Sequence, residues 1–304
     1  MAPSDSSALS LPPALSPRQA AFERLRCYDL LPKYCWEPPA LVNGQVPRRR
    51  QRPFAYDGIL YHLTLAAARL FDADHKAQYH YPGAREELFD LVVRQLVQEQ
   101  TQVRASDGRL EFSLNFVQEE LGRHRHEFSL AELRASLLLS LARLHLRTVH
   151  QGLELDFNYY DTVTLDETAA GGSLAGCTFN LFVSRAPNWD CLGYRNDELG
   201  LGLGRVLSRP WLKRLTLDST PTSYQTGQHY ELWPLLDQFG LAGADGAAVP
   251  VEELRSALAE LQTREVLEAY EFEELASASA TTPSVKIWLT RKFCAEALRQ
   301  SPLY

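Results

Sequence analysis

FSLAELRASLLLSLARLHLRTV, residues 128–149, is the most regular stretch of this chain. At about 100° per residue, leucines recur along one side of a helix, namely Leu130, Leu133, Leu137, Leu141 and Leu144. Small hydroxyls and arginines occupy the opposite side, namely Ser136, Ser140, Arg143 and Arg147, and Arg134 lies in the same stretch. This pattern predicts one long helix whose leucines are core and whose polar face meets DNA, although a solvated helix face has the same composition.

The residues on either side of this helix follow the order of a winged helix. RLEFSLNFVQEELG predicts a strand at 109–112 and a helix that Gly122 ends. Ser129 stands three residues before Glu132, which is the spacing of a capping box. Downstream, LELDFNYYDTVTLDE and TFNLFVS alternate apolar and polar residues as strands do. A strand, two helices and a hairpin predict a winged-helix domain at 54–187, with the second helix as the reader.

The second half of the chain repeats this order with different residues. HYELWPLLDQFGL at 229–241 and VPVEELRSALAELQTREVL at 249–267 predict two amphipathic helices. YEFEEL and VKIWLT predict two strands, and the low-complexity stretch ASASATTPS between them is the expected wing tip. We therefore predict a second winged-helix domain at 197–304 and an α+β fold with two such domains in tandem.

Residues 1–53 are rich in proline, serine and arginine, which predicts a flexible and disordered arm. The arm shows no basic segment followed by an apolar run, and nowhere do about 18 apolar residues follow one another. Neither export nor a membrane span is expected. The five cysteines are scattered and odd in number, which fits a reducing cytoplasm better than a disulfide framework.

The charge of the chain is unevenly distributed. The formal net charge is -7, from 31 basic and 38 acidic residues, which argues against a surface coated for nonspecific nucleic-acid binding. Arginine clusters in the first half, in PRRRQRP and GRHRH, so a polyanion site is expected mostly there. In the second candidate reader helix glutamates outnumber arginines. This excess of acid favours a protein partner or a dimer face in the second half.

Three further groups of cations are candidate DNA contacts. Arg123 and Arg125 in GRHRH are predicted to contact phosphate, and the alternative is that they only form the loop between two helices. PRRRQRP has two alternative interpretations: a basic arm that enters a minor groove, or a soluble linker. Arg205, Arg209 and Lys213 recur at intervals of four, so a helix presents them along one side to phosphate or to the other domain.

Motifs for catalysis, cofactors or metals are not apparent. GLGLG at 200–204 does not match GxGxxG after a strand, and neither GxxxxGK[ST] nor GxSxG occurs. Tyr159 and Tyr160 lack the nearby histidines that strand-nicking chemistry requires, so they are predicted to be wing or core residues. No CxxC occurs, and His124 and His126 have no thiol at ligand spacing. The chain is therefore predicted to be no enzyme and to bind neither cofactor nor metal.

Two winged helices in tandem behind a proline-rich arm resemble the plasmid replication initiators that bind repeated sites at an origin. FSLAELRASLLLSLARLHLRTV, ELRSALAELQTREVLEAYEFEEL and VKIWLT carry the likeness, which covers roughly residues 54–299. The resemblance implies binding of double-stranded DNA at origin repeats, recruitment of host replication proteins, and a switch between monomer and homodimer. The acidic second half departs from the basic character usual in that family.

The sequence thus predicts a sequence-specific DNA-binding replication initiator of a plasmid or an integrated mobile element. Two alternatives stay open: a winged-helix transcriptional regulator, and a winged-helix scaffold for proteins that binds no DNA, as the negative charge would allow.

Overall fold

The computed structural model describes residues 28–35, 41–56, 59–71, 75–98, 103–106, 109–148, 154–166, 174–179, 197–205, 207–232, 251–276 and 281–299. These residues form helices and antiparallel sheets, so the predicted α+β class is confirmed. Several predicted features lie outside the described residues. They are the arm before residue 28, residues 233–241 of the helix predicted at 229–241, and residues 277–280 of the second wing tip. The described start of that predicted helix is wrong, because residues 229–231 form a strand.

The first unit of the chain combines a 3-10 helix, ten strands and three helices among the described residues. In chain order they are the 3-10 helix Tyr28–Leu30, β1 (Arg49–Tyr56), β2 (Ile59–Ala66), β3 (Ala68–Phe71), β4 (Ala77–His80), α1 (Ala84–Gln98), β5 (Val103–Ser106), β6 (Arg109–Ser113), α2 (Leu114–Arg123), α3 (Leu130–Leu139), β7 (Arg143–Thr148), β8 (Glu154–Asn158), β9 (Tyr160–Asp166) and β10 (Leu174–Phe179). The strands form sheets of order β1-β2-β7-β8 and β5-β6-β10-β9 and the hairpin β3-β4.

A short helix connects this first unit to a smaller second unit. The connecting helix is α4 (Asp197–Gly202), and the second unit consists of α5 (Ser208–Asp218), α6 (Ser223–Thr226), β11 (Gln228–Glu231), α7 (Val251–Thr263), β12 (Leu267–Ala276), β13 (Thr281–Leu289) and α8 (Arg291–Arg299). Its strands form one sheet of order β11-β13-β12. In the described part of the chain, no helix has the length and hydrophobicity needed to span a membrane.

The two units share one arrangement. In the first unit β6 precedes α2 and α3, and β10 lies between β6 and β9 in the sheet. In the second unit β11 precedes α7, and β13 lies between β11 and β12. In both, therefore, the second strand of a hairpin pairs with the strand that comes before the helices.

Each unit has its own hydrophobic core. The first core extends from Tyr28 to Leu201, and the second from Leu203 to Ala297. Leu201 is 1% exposed and Leu203 is 0% exposed, although they stand only two residues apart. Because Leu201 at the end of α4 packs into the first core, the first unit extends past the start that we predicted for the second domain at residue 197.

The described part of the predicted arm is folded, so the boundary predicted at residue 54 is wrong. Tyr28 and Tyr34 are buried in the first core. Arg52 is 8% exposed, and its guanidinium donates hydrogen bonds to the carbonyls of Pro32 (3.2 Å) and Tyr34 (3.1 Å). The prolines of this region predict a flexible arm. Pro53 nevertheless lies on β1, at the edge of its sheet, where a missing N–H is tolerated.

The long helix predicted at 128–149 is also wrong in its second half. Helix α3 ends at Leu139, and after a turn at 140–142 the chain continues as β7. Burial alternates along β7, with Leu144 and Leu146 inside and Arg143 and Arg147 outside. Leucines at 137, 141 and 144 satisfy a helical period while 144 and 146 satisfy a strand period, so local spacing did not separate the two elements.

Candidate nucleic-acid interface

Helix α3 begins at the capping box that the sequence predicts. The backbone N–H of Glu132 donates to Oγ of Ser129 at 3.2 Å, and the backbone N–H of Ser129 donates to Oε2 of Glu132 at 2.8 Å. Oε1 of Glu132 lies 2.6 Å from Nη1 of Arg85. The hydrogen bond from the Ser129 backbone is the main cause that lowers the pKa of the Glu132 carboxyl, and Arg85 adds to it. The helix start is thus fixed by a satisfied network.

Ser136 and Ser140 lie on the buried side of α3, not on the DNA-facing side that we predicted. They are 2% and 4% exposed. Oγ of Ser136 donates to Oε1 of the buried Glu86 at 2.7 Å, while Oγ of Ser140 donates to the Ser136 carbonyl at 3.1 Å. A buried carboxylate needs hydrogen-bond donors, so Glu86 draws Ser136 inward.

The exposed side chains of α3 are mostly small and uncharged. Ala131, Ala135 and Leu138 are exposed, and Arg134 is half-buried among them. Small side chains let a helix backbone approach a surface closely, and arginine is the side chain that most often reads guanine in the major groove. Of the predicted contacts on this helix, Arg134 is therefore the one whose position suits base recognition.

The turn between α2 and α3 carries the other two predicted cations of this region. Arg123 is exposed and its Nη1 lies 2.6 Å from Oε2 of Glu120. Arg125 is exposed and adopts a left-handed backbone conformation with φ of 65°. Nε2 of His126 lies 2.7 Å from the carbonyl of Leu201, which anchors the turn to α4. Arg125 thus extends from an anchored turn beside the start of α3.

Arg143 and Arg147 lie on the outer face of the sheet β1-β2-β7-β8 rather than on a helix. Arg143 is opposite Ala66 of β2, and Arg147 is opposite His62. Arg49 of β1, from the PRRRQRP stretch, is opposite Ala66 from the other side. The structure therefore brings a predicted arm residue and a predicted helix residue together on one sheet. The alternation of polar and apolar residues in RLHLRT could have indicated a strand, but the helical spacing of the leucines before it favoured a helix.

Arg209 and Lys213 share one side of α5, as predicted, but that side faces the first unit. Nζ of Lys213 lies 2.7 Å from Oε1 of Glu87 on α1, and Nη1 of Arg209 lies 3.9 Å from Oε2. All three residues are buried. Arg209 and Lys213 therefore do not form an exposed cationic stripe for phosphate. They contact the first unit, which was the alternative prediction. Arg205 is exposed and precedes α5.

Tyr159 and Tyr160 are core residues, as predicted. They are 5% and 1% exposed. The hydroxyl of Tyr159 donates to the Lys33 carbonyl, and that of Tyr160 donates to Oδ1 of Asp90 at 3.2 Å. Burial raises the pKa of both phenols well above the ordinary value. Among the residues that the structure describes, no three His, Cys, Asp or Glu side chains are grouped to hold a metal ion.

Comparison with solved structures reveals a shared architecture. A selenomethionine derivative of domains 2 and 3 of RctB has a TM-score of 0.55 to this chain at 10% identity, covering 84% of this chain and 94% of that one. This chain shares that fold. A second structure of RctB domains 2–3 gives a TM-score of 0.42 at 8% identity, covering 88% of this chain and 98% of that one. RctB is a replication initiator of Vibrio chromosome II.

The sequence matches no protein-family model and no curated protein. The likeness to RctB domains 2 and 3 is therefore one of fold, and at 10% identity it assigns no site residue.

Proposed function

We propose that this chain is a sequence-specific DNA-binding replication initiator of a plasmid or an integrated mobile element, built on two winged helices. One observation carries the proposal: the fold of domains 2 and 3 of an initiator recurs over 84% of this chain. The sheet orders β5-β6-β10-β9 and β11-β13-β12 support this proposal, because in each sheet the second strand of a hairpin pairs with the strand before the helices. In a winged helix the last helix before the hairpin is the reader.

In the first winged helix α3 is the reader. Its small exposed side chains fit a major groove, Arg134 supplies a base contact, and Arg123 and Arg125 supply phosphate contacts from the turn before it. Ser136 acts indirectly, because its hydrogen bond to Glu86 holds α3 against α1 and so sets the angle at which α3 approaches DNA, while Ser140 bonds back to Ser136 at the end of the helix.

In the second winged helix the equivalent helix α7 is acidic. Glu252 and Glu253 are exposed in its first turn, where they would face phosphate. Because like charges repel at close range, this helix serves a protein. Host replication proteins are the proposed partners, and a second copy of this chain is the alternative partner at the same face. The chain acts in the cytoplasm, without an enzymatic activity, cofactor or metal of its own.

The decisive experiment selects binding sites from a pool of random duplexes with the purified full chain, at several stated salt concentrations. An enriched sequence that recurs as repeats in the DNA beside the gene, and that the protein protects in a footprint there, is the expected result. A chain that enriches no sequence at any salt concentration contradicts the proposal. Enrichment of one isolated promoter site without repeats would favour the transcriptional regulator instead.

Incubation of the protein with supercoiled origin DNA, magnesium and ATP tests the absence of enzymatic activity. We expect the DNA to stay supercoiled and the ATP intact. Nicked circles or released phosphate would contradict this part of the proposal.

A further inference from the structure

The outer face of the sheet β1-β2-β7-β8 carries cations that the reader helix does not use. Arg49, Arg143 and Arg147 are exposed on this face. Within the described part of the chain, none of the three is in an ion pair. Their direction is fixed, because the alternate residues of the same strands, such as Leu63 and Leu144, are fully buried in the first core.

The strand register places two of these arginines on either side of a small residue. Arg49 and Arg143 both pair with Ala66, one from β1 and one from β7. Neighbouring strands lie about 4.8 Å apart, so the two arginine backbones are about 10 Å apart. The methyl group of Ala66 between them leaves the surface open. The next residue in this row is Asn158 on β8, so the row contains no carboxylate.

The acidic residues of this face lie on the opposite edge strand. Asp156 and Glu154 of β8 are exposed, but both contact His145 of β7, at 3.1 Å to Nδ1 and 3.3 Å to Nε2. The anions are therefore held in the rows beyond Arg143 and leave the row of Arg49 and Arg143 cationic. Arg48, exposed and stacked 5.1 Å from the ring centre of Tyr79, adds a further cation just before β1.

This cationic row lies beside the reader helix. Arg143 is the first residue of β7, and only three residues separate it from the end of α3 at Leu139. Duplex DNA held by α3 would carry a continuous line of phosphates away from the contacted bases. The outer positions of β1, β2 and β7 bear no Phe, Tyr or Trp in their described residues, so this face lacks the platforms on which single strands stack.

From this geometry we infer that Arg49 and Arg143 form a clamp across Ala66 for the phosphodiester backbone of duplex DNA. Arg147 is not part of it, because the exposed Glu154 lies directly opposite Arg147 on β8. The clamp contacts phosphate and no base, so it adds affinity and fixes orientation without adding sequence preference. This inference rests on the proposed function, because it needs DNA held by α3, but it assigns a second surface to the complex.

The test compares the full wild-type chain with the double variant Arg49→Ala/Arg143→Ala. Binding is measured by fluorescence anisotropy over a salt series, on a duplex of random sequence and on a selected duplex. Loss of two phosphate contacts should reduce the slope of log affinity against log salt by about 2. We expect the same reduction on both duplexes and an unchanged ratio of their affinities. Circular dichroism checks the fold, which exposed substitutions should leave intact.

A second pair of variants keeps both arginines. Ala66→Glu places a carboxylate on the floor of the clamp and should weaken binding to both duplexes, whereas the neutral control Ala66→Gln should bind more tightly than Ala66→Glu. An unchanged salt slope in the double variant, together with equal binding by Ala66→Glu and Ala66→Gln, would overturn the clamp. If self-association is lost instead, the face belongs to a second copy of the chain, and the inference also fails.

The variant Arg134→Ala separates failure of the clamp from failure of the proposed function. If it abolishes the preference for the selected duplex while the clamp variants bind as wild type does, the proposed function stands and only the clamp is wrong. If the wild-type chain binds neither duplex, both are wrong.

Discussion

Helices α3 and α7 occupy equivalent places in the two units but present different surfaces. On α3 the exposed residues are Ala131, Ala135 and Leu138. On α7 they include Glu252 and Glu253. The buried sides are alike, since both helices pack leucines that are fully buried against their own core. The inner residues therefore determine the arrangement of the elements, while a few outer positions give each helix a different surface charge.

The contact between the units should respond most strongly to mutation. Lys213→Met removes the 2.7 Å ion pair with the buried carboxylate of Glu87, whereas Nη1 of Arg209 is 3.9 Å from the same carboxylate. Breaking a buried ion pair costs about 3 to 5 kcal/mol, so we expect the free energy of unfolding to fall by that amount. Urea unfolding measures it.

Lys292→Met in the second unit is the matched control for this prediction. Lys292 pairs with Glu265 at 2.9 Å, but the two side chains are 75% and 71% exposed. Exposed pairs contribute about 0 to 1 kcal/mol, so this variant should unfold nearly as wild type does. The double variant Glu87→Gln/Lys213→Met should regain part of the lost stability. Equal stabilities of Lys213→Met and Lys292→Met would show that the contact between the units is weak.

Truncating a leucine in either core tests whether the two units unfold together. Leu137 of α3 and Leu258 of α7 are both 0% exposed. Each change to alanine should lower the free energy of unfolding by about 2 to 5 kcal/mol. Because buried groups join the units, we expect one shared transition in both variants by circular dichroism and fluorescence. Leu138→Ala, at a residue 36% exposed, is the control with a smaller loss. Two separate transitions would contradict the expected coupling.

Helices α3 and α7 each carry one arginine whose replacement tests the different roles that we propose for their surfaces. Arg134→Ala should reduce discrimination between the selected duplex and one altered at a single base pair by about 1 to 3 kcal/mol, because a base contact is lost. Arg255→Ala, at a side chain that is 50% exposed on α7, should leave that discrimination unchanged. Competition binding at fixed salt measures both. A larger effect of Arg255→Ala would reverse the roles that we propose for the two units.

The capping box of α3 should have the smallest effect. Ser129→Ala removes the acceptor for the Glu132 N–H, which is typically worth about 1 kcal/mol. Urea unfolding should detect this loss, and Ser113→Ala is the control, because Ser113 precedes α2 without a side-chain capping bond. Equal losses in the two variants would contradict a specific role of the box.

The same box predicts a dependence on pH. The pKa of Glu132 is lowered in the folded chain, so its ionised carboxylate stabilises α3 above the ordinary pKa of glutamate. This stabilisation is lost as the pH falls through the lowered value. The difference in unfolding free energy between wild type and Glu132→Gln should therefore be present at neutral pH and disappear in acid. A difference that grows in acid would contradict the sign of this shift.

The sequence predicted those features whose causes are local. The box at Ser129 and Glu132 needs only a spacing of three residues, and it forms as predicted. The strand and helix predicted at 109–122 likewise follow from local spacing and are present as β6 and α2. Features that depend on distant partners were not predictable. Strand β7 exists because β2, some eighty residues earlier, offers hydrogen bonds to it, whereas its leucines alone fit a helix.

In the candidate site too, local features could be predicted from the sequence, whereas features that depend on distant residues could not. Arg209 and Lys213 were correctly placed on one side of a helix, but the direction of that side depends on Glu87, 126 residues from Lys213. Ser136 turns inward because it bonds to the buried Glu86. Glu86 is 50 residues away in the sequence, so the residues near Ser136 do not indicate this contact. Arg49 was assigned to an arm because its neighbours are prolines and arginines, and only the pairing of β1 with β2 reveals its place.

Leu201 and Leu203 set the length of the tether between the two cores. Each is anchored in a different core, and two residues of extended chain reach at most about 7 Å. A movement that parts the units further must withdraw a leucine into water, at about 1.5 to 3 kcal/mol per side chain. If α3 binds DNA and α7 binds a protein, as we propose, the second unit must therefore move with the first when the first unit follows a bend in the DNA, and the protein on α7 stays at a limited distance from the bases that α3 contacts.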